Sequence, residues 1–449
     1  MRAAAARIPV YKGPFGPEQA ERLLWRAGFG PRNGEAERLA RKGLDAAVHS
    51  LTHPRKERLA GPKPHDGEGR PLAPGDAWGH DHVWWLDRMV RTNRPLTERM
   101  TLIWHDWFAT SNSGVGSQTL MLRQNRLFRR YSLDSFDKLL LAVTRDPAML
   151  LWLNGTDNRK GSPNENYARE LMELFTLGAG RGYTERDVRE QARALTGFES
   201  DWRRGVGPTN FRFERERHDD GVKRVFGTRG RFDWQDACRL CLKNRSHPSF
   251  FVSKLWGYFV PTLPPARTRA ALERLYVKND HAVRPVVEAI LRHPQLYNGR
   301  RMTKPPVVYT AGLLRAAGRG IDTDGWAWLN GLAGQQLFYP PNVSGWNDER
   351  WLDTATFLAR WQIAGRVLRP VVLDTKKDKA PVDADKLVER ALAFWGNPTL
   401  TRATRRSLHA FAKAALGTAK SNWKREQYPV LTENALRHLI AASPDLQTS

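Results

Sequence analysis

Along most of the chain, apolar residues return every three or four positions, the spacing of one buried helix face. Ala20, Leu23, Leu24 and Ala27 show it and are stopped by Gly28-Phe-Gly-Pro31, which predicts a helix over 17–28. The same spacing predicts helices over 34–42, 44–51, 117–130, 134–145, 184–197, 233–243, 247–260, 265–278, 281–292, 305–317 and 352–370. A closing group is expected at 383–395, 401–417 and 430–441. Residues 53–79, rich in Pro, Gly and charge, are an exposed loop. A period of two occurs only briefly, at Phe211-Arg-Phe213, followed by a partly β-branched run at 222–226, so a small β-hairpin or ordered loop is expected near 209–227. The class is therefore mainly α, a multi-helical orthogonal or bundle-like array with that one insertion. A charged linker at 374–382 divides a helical core domain, 1–373, from a C-terminal helical subdomain, 383–449, expected to pack on the core.

Two stretches depart from ordinary amphipathicity. In 96–110, Met100, Leu102, Ile103, Trp104, Trp107 and Phe108 point in nearly every direction, so this helix is buried all round. Glu98, Thr101 and His105 make its only polar stripe, while Asp106 points elsewhere, near Arg99. In 162–178, Ser162 is placed as a helix cap, Pro163 at the first helical position and Glu165 to reach back to the cap. Winding at about 100° per residue puts Tyr167, Ala168, Leu171, Leu174 and Phe175 on one arc, with Glu170 at its border and Asn166 and Glu173 beside it. Glu165, Arg169 and Thr176 form a second stripe that faces water. A carboxylate held against an apolar face must find a cation, a metal or a donor, or take up a proton.

Further polar clusters stand outside the helical pattern. His80-Asp-His82 is a polar helix start, its histidines two apart and so on different faces of a helix. In His218-Asp-Asp-Gly-Val-Lys223 a turn explains Asp219 and Gly221 but not His218. The irregular segment 334–346, with Gln335 and Trp346, is placed to line a cleft.

Composition narrows the classes. A hydrophobic content of 41% with 17 Trp excludes a disordered chain, and the absence of any long uncharged apolar run excludes a membrane-spanning helix. The net charge of +25 invites a polyanionic partner, but the basic residues are spread along the chain without a polybasic tail. Specific nucleic-acid recognition ranks last, because no known module is present. The only cysteines, Cys238 and Cys241, are too few for a four-thiolate zinc site and fit the inner face of a helix. No signal peptide is visible, so cytoplasm is the default expectation, with export open if the natural start lies elsewhere.

The motifs at 104–110, 163–178, 183–188 with 192–197, 218–223 and 334–346, in this order, resemble a bacterial family of unknown function, domain of unknown function 1800 (DUF1800). The resemblance runs from about residue 23 to residue 368. It implies a largely α-helical protein, in a family with many exported members and a sulfatase-like partner, but no assigned activity.

Two functions follow as expectations. The first is a hydrolase-like enzyme acting on a glycan or ester-bearing polymer, with His105, Asp106, Glu170, Glu173, His218 and Asp219 as catalytic candidates. Asn166, Arg169, Lys223, Gln335 and Trp346 would bind substrate, and His105, Glu170 and His218 would hold a divalent metal if one is used. The alternative is a basic scaffold that binds an acidic polymer, its motif residues forming structural hydrogen-bond networks.

Overall fold

The helix that is apolar in every direction runs over Pro95–Trp107 and stands between two hydrophobic clusters. Its Met100, Ile103, Trp104 and Trp107 belong to the first cluster and Leu102 to the second, which is why no face of it is left for water. The structure, a computed structural model, describes residues 7–449. It is 57% helical and carries only two small sheets among the described residues, so the mainly α class holds.

Helix α1 (Pro17–Arg26) contributes Leu23 and Leu24 to the first cluster. Helix α2 (His80–Arg91) gives Val83, Trp85 and Leu86 to the second, and α3 is the central helix Pro95–Trp107. Helix α4 (Gln118–Arg130) places Phe128 in the first cluster. Helix α5 (Asn166–Glu170) passes directly into a π-helix at Leu171–Thr176, and α6 (Glu185–Ala194) follows. Helix α7 (His247–Gly257) packs Phe251 and Leu255 on the first cluster. Helices α8 (Pro306–Ala316), α9 (Thr354–Leu368) and α10 (Asn422–Ala442) close around the second. Among the described residues no helix is long and apolar enough to cross a membrane.

The insertion is two hairpins rather than one. β1 (Phe198–Arg203) pairs antiparallel with β2 (Gly207–Phe213), and β3 (Lys223–Val225) with β4 (Thr228–Gly230). The segment His218–Gly221 links them. Two helix predictions need correction, the first of them at both its start and its second half. The helix expected from Ser162 begins at Asn166, because the Asn164 side chain accepts from the Asn166 N–H and Ser162 is spent in a bridge with Arg159. Its second half is π, so the i→i+5 pattern turns each later side chain away from its α-helical position. The helix expected at 430–441 starts at Asn422 and carries Pro429 inside it, although proline removes a helix donor.

Candidate active site

Arg99, Leu102, Ile103 and Asp106 are spaced i, i+3, i+4 and i+7, which places them on one side of α3. Together they line a cavity of about 280 Å³. Lys254, Gly257 and Tyr258 come to it from the end of α7, with Gln335, Trp346 and Trp351 from the segments between α8 and α9. A second cavity of about 450 Å³ shares Gly257, Met302, Asp348 and Trp351 with the first.

Asp106 is the hub. The Tyr258 hydroxyl donates to its Oδ2 at 2.7 Å and the Trp346 N–H to its Oδ1 at 3.0 Å. The chain passes so close over the carboxylate at Gly345, with φ +92°, that a Cβ there would collide with Asp106. The Val-Ser-Gly-Trp motif is thus explained by the aspartate it crosses. Burial pushes the Asp106 pKa up, against the pull of the Trp346 N–H and Tyr258. Burial brings Lys254 down to about 8, with Asp106 opposing. Its Nζ donates to the Leu174 carbonyl at 2.9 Å and lies 4.6 Å from the centre of the Trp107 ring.

The donors of this cavity outnumber its acceptors. Arg99 is only 3% exposed, and its Nε, shut from solvent, finds no acceptor among the described residues. Burial lowers its pKa to about 10, with Tyr258 and Asp106 opposing through space. The indole N–H groups of Trp346 and Trp351 are likewise buried without an acceptor. Seventeen buried side-chain polar atoms among the described residues lack a partner, and three of them belong to residues that line this one cavity, where an acceptor-rich ligand would answer Arg99.

His105 is turned the other way. Its Nε2 accepts from the Phe338 N–H at 3.2 Å, and its ring packs against Trp85, Phe338 and Trp346. Burial drives its pKa down to about 3, which keeps it neutral and able to accept. His82 does the same for the preceding Leu337 N–H at 3.0 Å. The two histidines hold consecutive amides of the segment that delivers Gln335 and Trp346 to the cavity.

The carboxylates of α5 and its π extension lie elsewhere on the molecule's side chains. Arg169 pairs with Glu165, Glu173 and Glu185 at 3.1, 3.3 and 2.8 Å. Asn166 is exposed and donates to Asn154 at 3.0 Å. Glu170, whose pKa is raised by burial and by Glu173, does not line the Asp106 cavity. The π geometry instead supplies backbone acceptors: the carbonyls of Leu174, Phe175 and Thr176 receive Lys254, Trp107 at 3.1 Å and His247 at 2.9 Å.

His218, Asp219 and Lys223 form a third, closed group. The His218 Nδ1 lies 2.9 Å from the Thr196 carbonyl, and Asp219 binds Arg193 at 2.7 Å. Lys223 is buried and donates to the Asp219 carbonyl and, at 3.1 Å, to that of Gly221. These bonds tie the link between the hairpins to α6.

Of the residues singled out from sequence, the structure therefore brings Asp106, Gln335 and Trp346 together. It does not bring His105, Glu170 and His218 into one ligand set: His105 binds the Phe338 N–H, His218 lies against the Thr196 carbonyl, and Glu170 stands apart from both. Among the described residues no three His, Cys, Asp or Glu side chains form a group that could hold a metal ion. Arg99, Lys254, Tyr258 and Trp351 were not among the expected site residues. Their sequence signal is a lysine and a tyrosine four apart in the otherwise apolar run Phe250–Phe259, and an arginine one face-repeat before Asp106.

The family model described as "Protein of unknown function (DUF1800)" matches residues 22–448. No curated protein and no solved structure matches the chain.

Proposed function

We propose, for a chain that belongs to the DUF1800 family, a hydrolase-like acid–base enzyme that holds an anionic substrate in the Asp106 cavity. The observation that carries this reading is the buried Arg99 guanidinium with an Nε that has no acceptor. An uncompensated buried cation costs several kcal/mol, roughly, unless an anion or polar ligand meets it. Arg99 and the Trp346 and Trp351 N–H groups hold the anion. Asp106, with its raised pKa, is the general acid and base, and Tyr258 orients it. In hydrolysis of a glycoside, Asp106 gives its proton to the leaving oxygen as the C–O bond breaks, and water then bonds to that carbon and returns a proton to the carboxylate. In hydrolysis of an ester, water adds to the carbonyl carbon first, giving a proton to the Asp106 carboxylate, which passes it to the leaving oxygen as the C–O bond breaks.

The test is a panel of carboxylated nitrophenyl esters and uronides assayed with the wild type, Asp106→Asn and Tyr258→Phe. Activity is expected to fall about 10²-fold or more in Asp106→Asn, with the melting temperature nearly unchanged. An active Asp106→Asn protein would exclude this site.

A different feature favours the non-enzymatic alternative. A groove of about 1450 Å³ is lined by Arg94, Arg126, Arg129, Arg130, Lys138 and Arg284 against Glu57, Asp134, Asp137 and Asp280. Arg126 and Arg130 are exposed there. Binding of an acidic polymer at this groove predicts retention on heparin that weakens steeply with salt and falls in the double variant Arg126→Glu, Arg130→Glu. Unchanged retention in that variant would remove the groove from consideration.

A further inference from the structure

We infer that the Asp106 cavity is the inner half of a longer channel whose ligand is an elongated amphiphilic acid, with one anionic head inside and an uncharged, largely apolar body outside. The inference rests on the reading of Arg99 as an anion-holding group.

Alone, the inner cavity of about 280 Å³ falls just short of the range usual for ligand sites, about 300–1,000 Å³. The outer cavity adds about 450 Å³, which brings the pair well inside that range. Gly257, Met302, Asp348 and Trp351 line both and form the neck between them. The residues that carry the orphaned donors, Arg99, Trp346 and Trp351, all line the inner half. The outer half has a different chemistry. Val260, Pro261, Leu263 and Met302 give it an aliphatic wall, and Leu263 stands 83% exposed at its side. Its one arginine, Arg301, is already paired with Asp445. Glu349, which lines this half alone, and Asp348 at the neck, both exposed, give the outer end negative charge that repels a second anionic group. An acid charged at one end satisfies both halves, whereas a polymer charged along its length satisfies only the inner one.

Gly257 is the one residue lining the neck that brings no side chain to it. It is the last residue of α7 and exposed, it does not have a positive φ, and a Cβ there would meet nothing within 4 Å. Neither backbone nor packing asks for glycine, and helices favour alanine over it. A side chain there would enter the open space beside the neck that Gly257 lines.

The experiment is calorimetric titration of propanoate, hexanoate, octanoate and decanoate into the full chain. In the wild type, affinity is expected to rise with length, by at most about fourfold per buried methylene. In Gly257→Leu the length dependence flattens, so that decanoate binds no more tightly than propanoate. Gly257→Ala carries a smaller plug and cuts the decanoate gain severalfold, with a melting temperature at or above wild type to show that the helix is intact. Affinity that is flat with length in the wild type, or a full length dependence in both Gly257 variants, overturns the channel while leaving the anion site standing. Failure of every acid to bind the wild type, propanoate included, overturns the Arg99 reading and the channel with it.

Discussion

Glu98 and Arg99 are neighbours on one helix, both buried and both charged, yet their surroundings are opposite. Glu98 is wholly buried and receives Arg129 at 2.6 and 2.9 Å, Arg88 at 3.2 Å and the Trp85 indole N–H at 3.0 Å. Burial alone would raise its pKa, but Arg129 and Arg88 outweigh that and hold it below its ordinary value. Arg99, one residue on, has a buried Nε without an acceptor and faces a cavity. A buried charge is thus not itself the mark of a site. What sets Arg99 apart is the combination of an unanswered Nε with a place in a cavity wall, because a satisfied network fixes structure while an unsatisfied donor beside a cavity has a ligand to meet.

The contrast is broken or sharpened first by removing each charge. Glu98→Ala leaves two arginines facing each other without their carboxylate, and should cost about 3–5 kcal/mol in urea denaturation. Arg99→Leu, in the same assay, should lie within about 1 kcal/mol of wild type or above it, since an apolar residue replaces an uncompensated cation. Equal losses in both variants would show that Arg99 is answered by the protein after all.

Much of this contrast was legible in the sequence. The all-round apolar character of 96–110 announced a helix buried on every side, and the one-sided placement of Arg99 and Asp106 follows from their seven-residue spacing. The satisfaction of Glu98, by contrast, depends on Arg88 and Arg129 from two other helices, which no local pattern reveals. The stretch at 162–178 misled for a physical reason. Its carboxylates were placed by α-helical phase, but the π turn changes that phase, and what it offers the site is the Leu174 carbonyl, which holds the cavity-lining Lys254 from behind. His105 had the burial and neighbours of a site residue, but only the fold shows its ring nitrogen taken by Phe338.

A second test concerns the histidines that hold the 334–346 segment. Burial pushes His82 and His105 down to about 3, so the folded protein leaves them neutral where the unfolded chain takes up protons. The unfolded state therefore binds more protons below the ordinary histidine pKa of about 6.5, and stability should fall as pH drops from there toward 4. Melting curves across that window should show the slope, reduced in His105→Gln. A slope unaltered in that variant would mean that other groups carry it.

Smaller effects separate the remaining clusters from the cavity. Asp219→Ala breaks the pair with Arg193 and should cost about 1–2 kcal/mol, with acid binding unchanged. Glu170→Gln should shift stability by less than about 0.5 kcal/mol and leave acid binding untouched. Loss of binding in either variant would join its cluster to the Asp106 site.

The most direct measurement is titration of propanoate into the wild type and Arg99→Leu, with melting temperatures taken on the same samples. The account predicts saturable binding by the wild type and a loss of tenfold or more in Arg99→Leu, about 1.4 kcal/mol or more, while the variant melts no lower. Equal binding by the two proteins would contradict it.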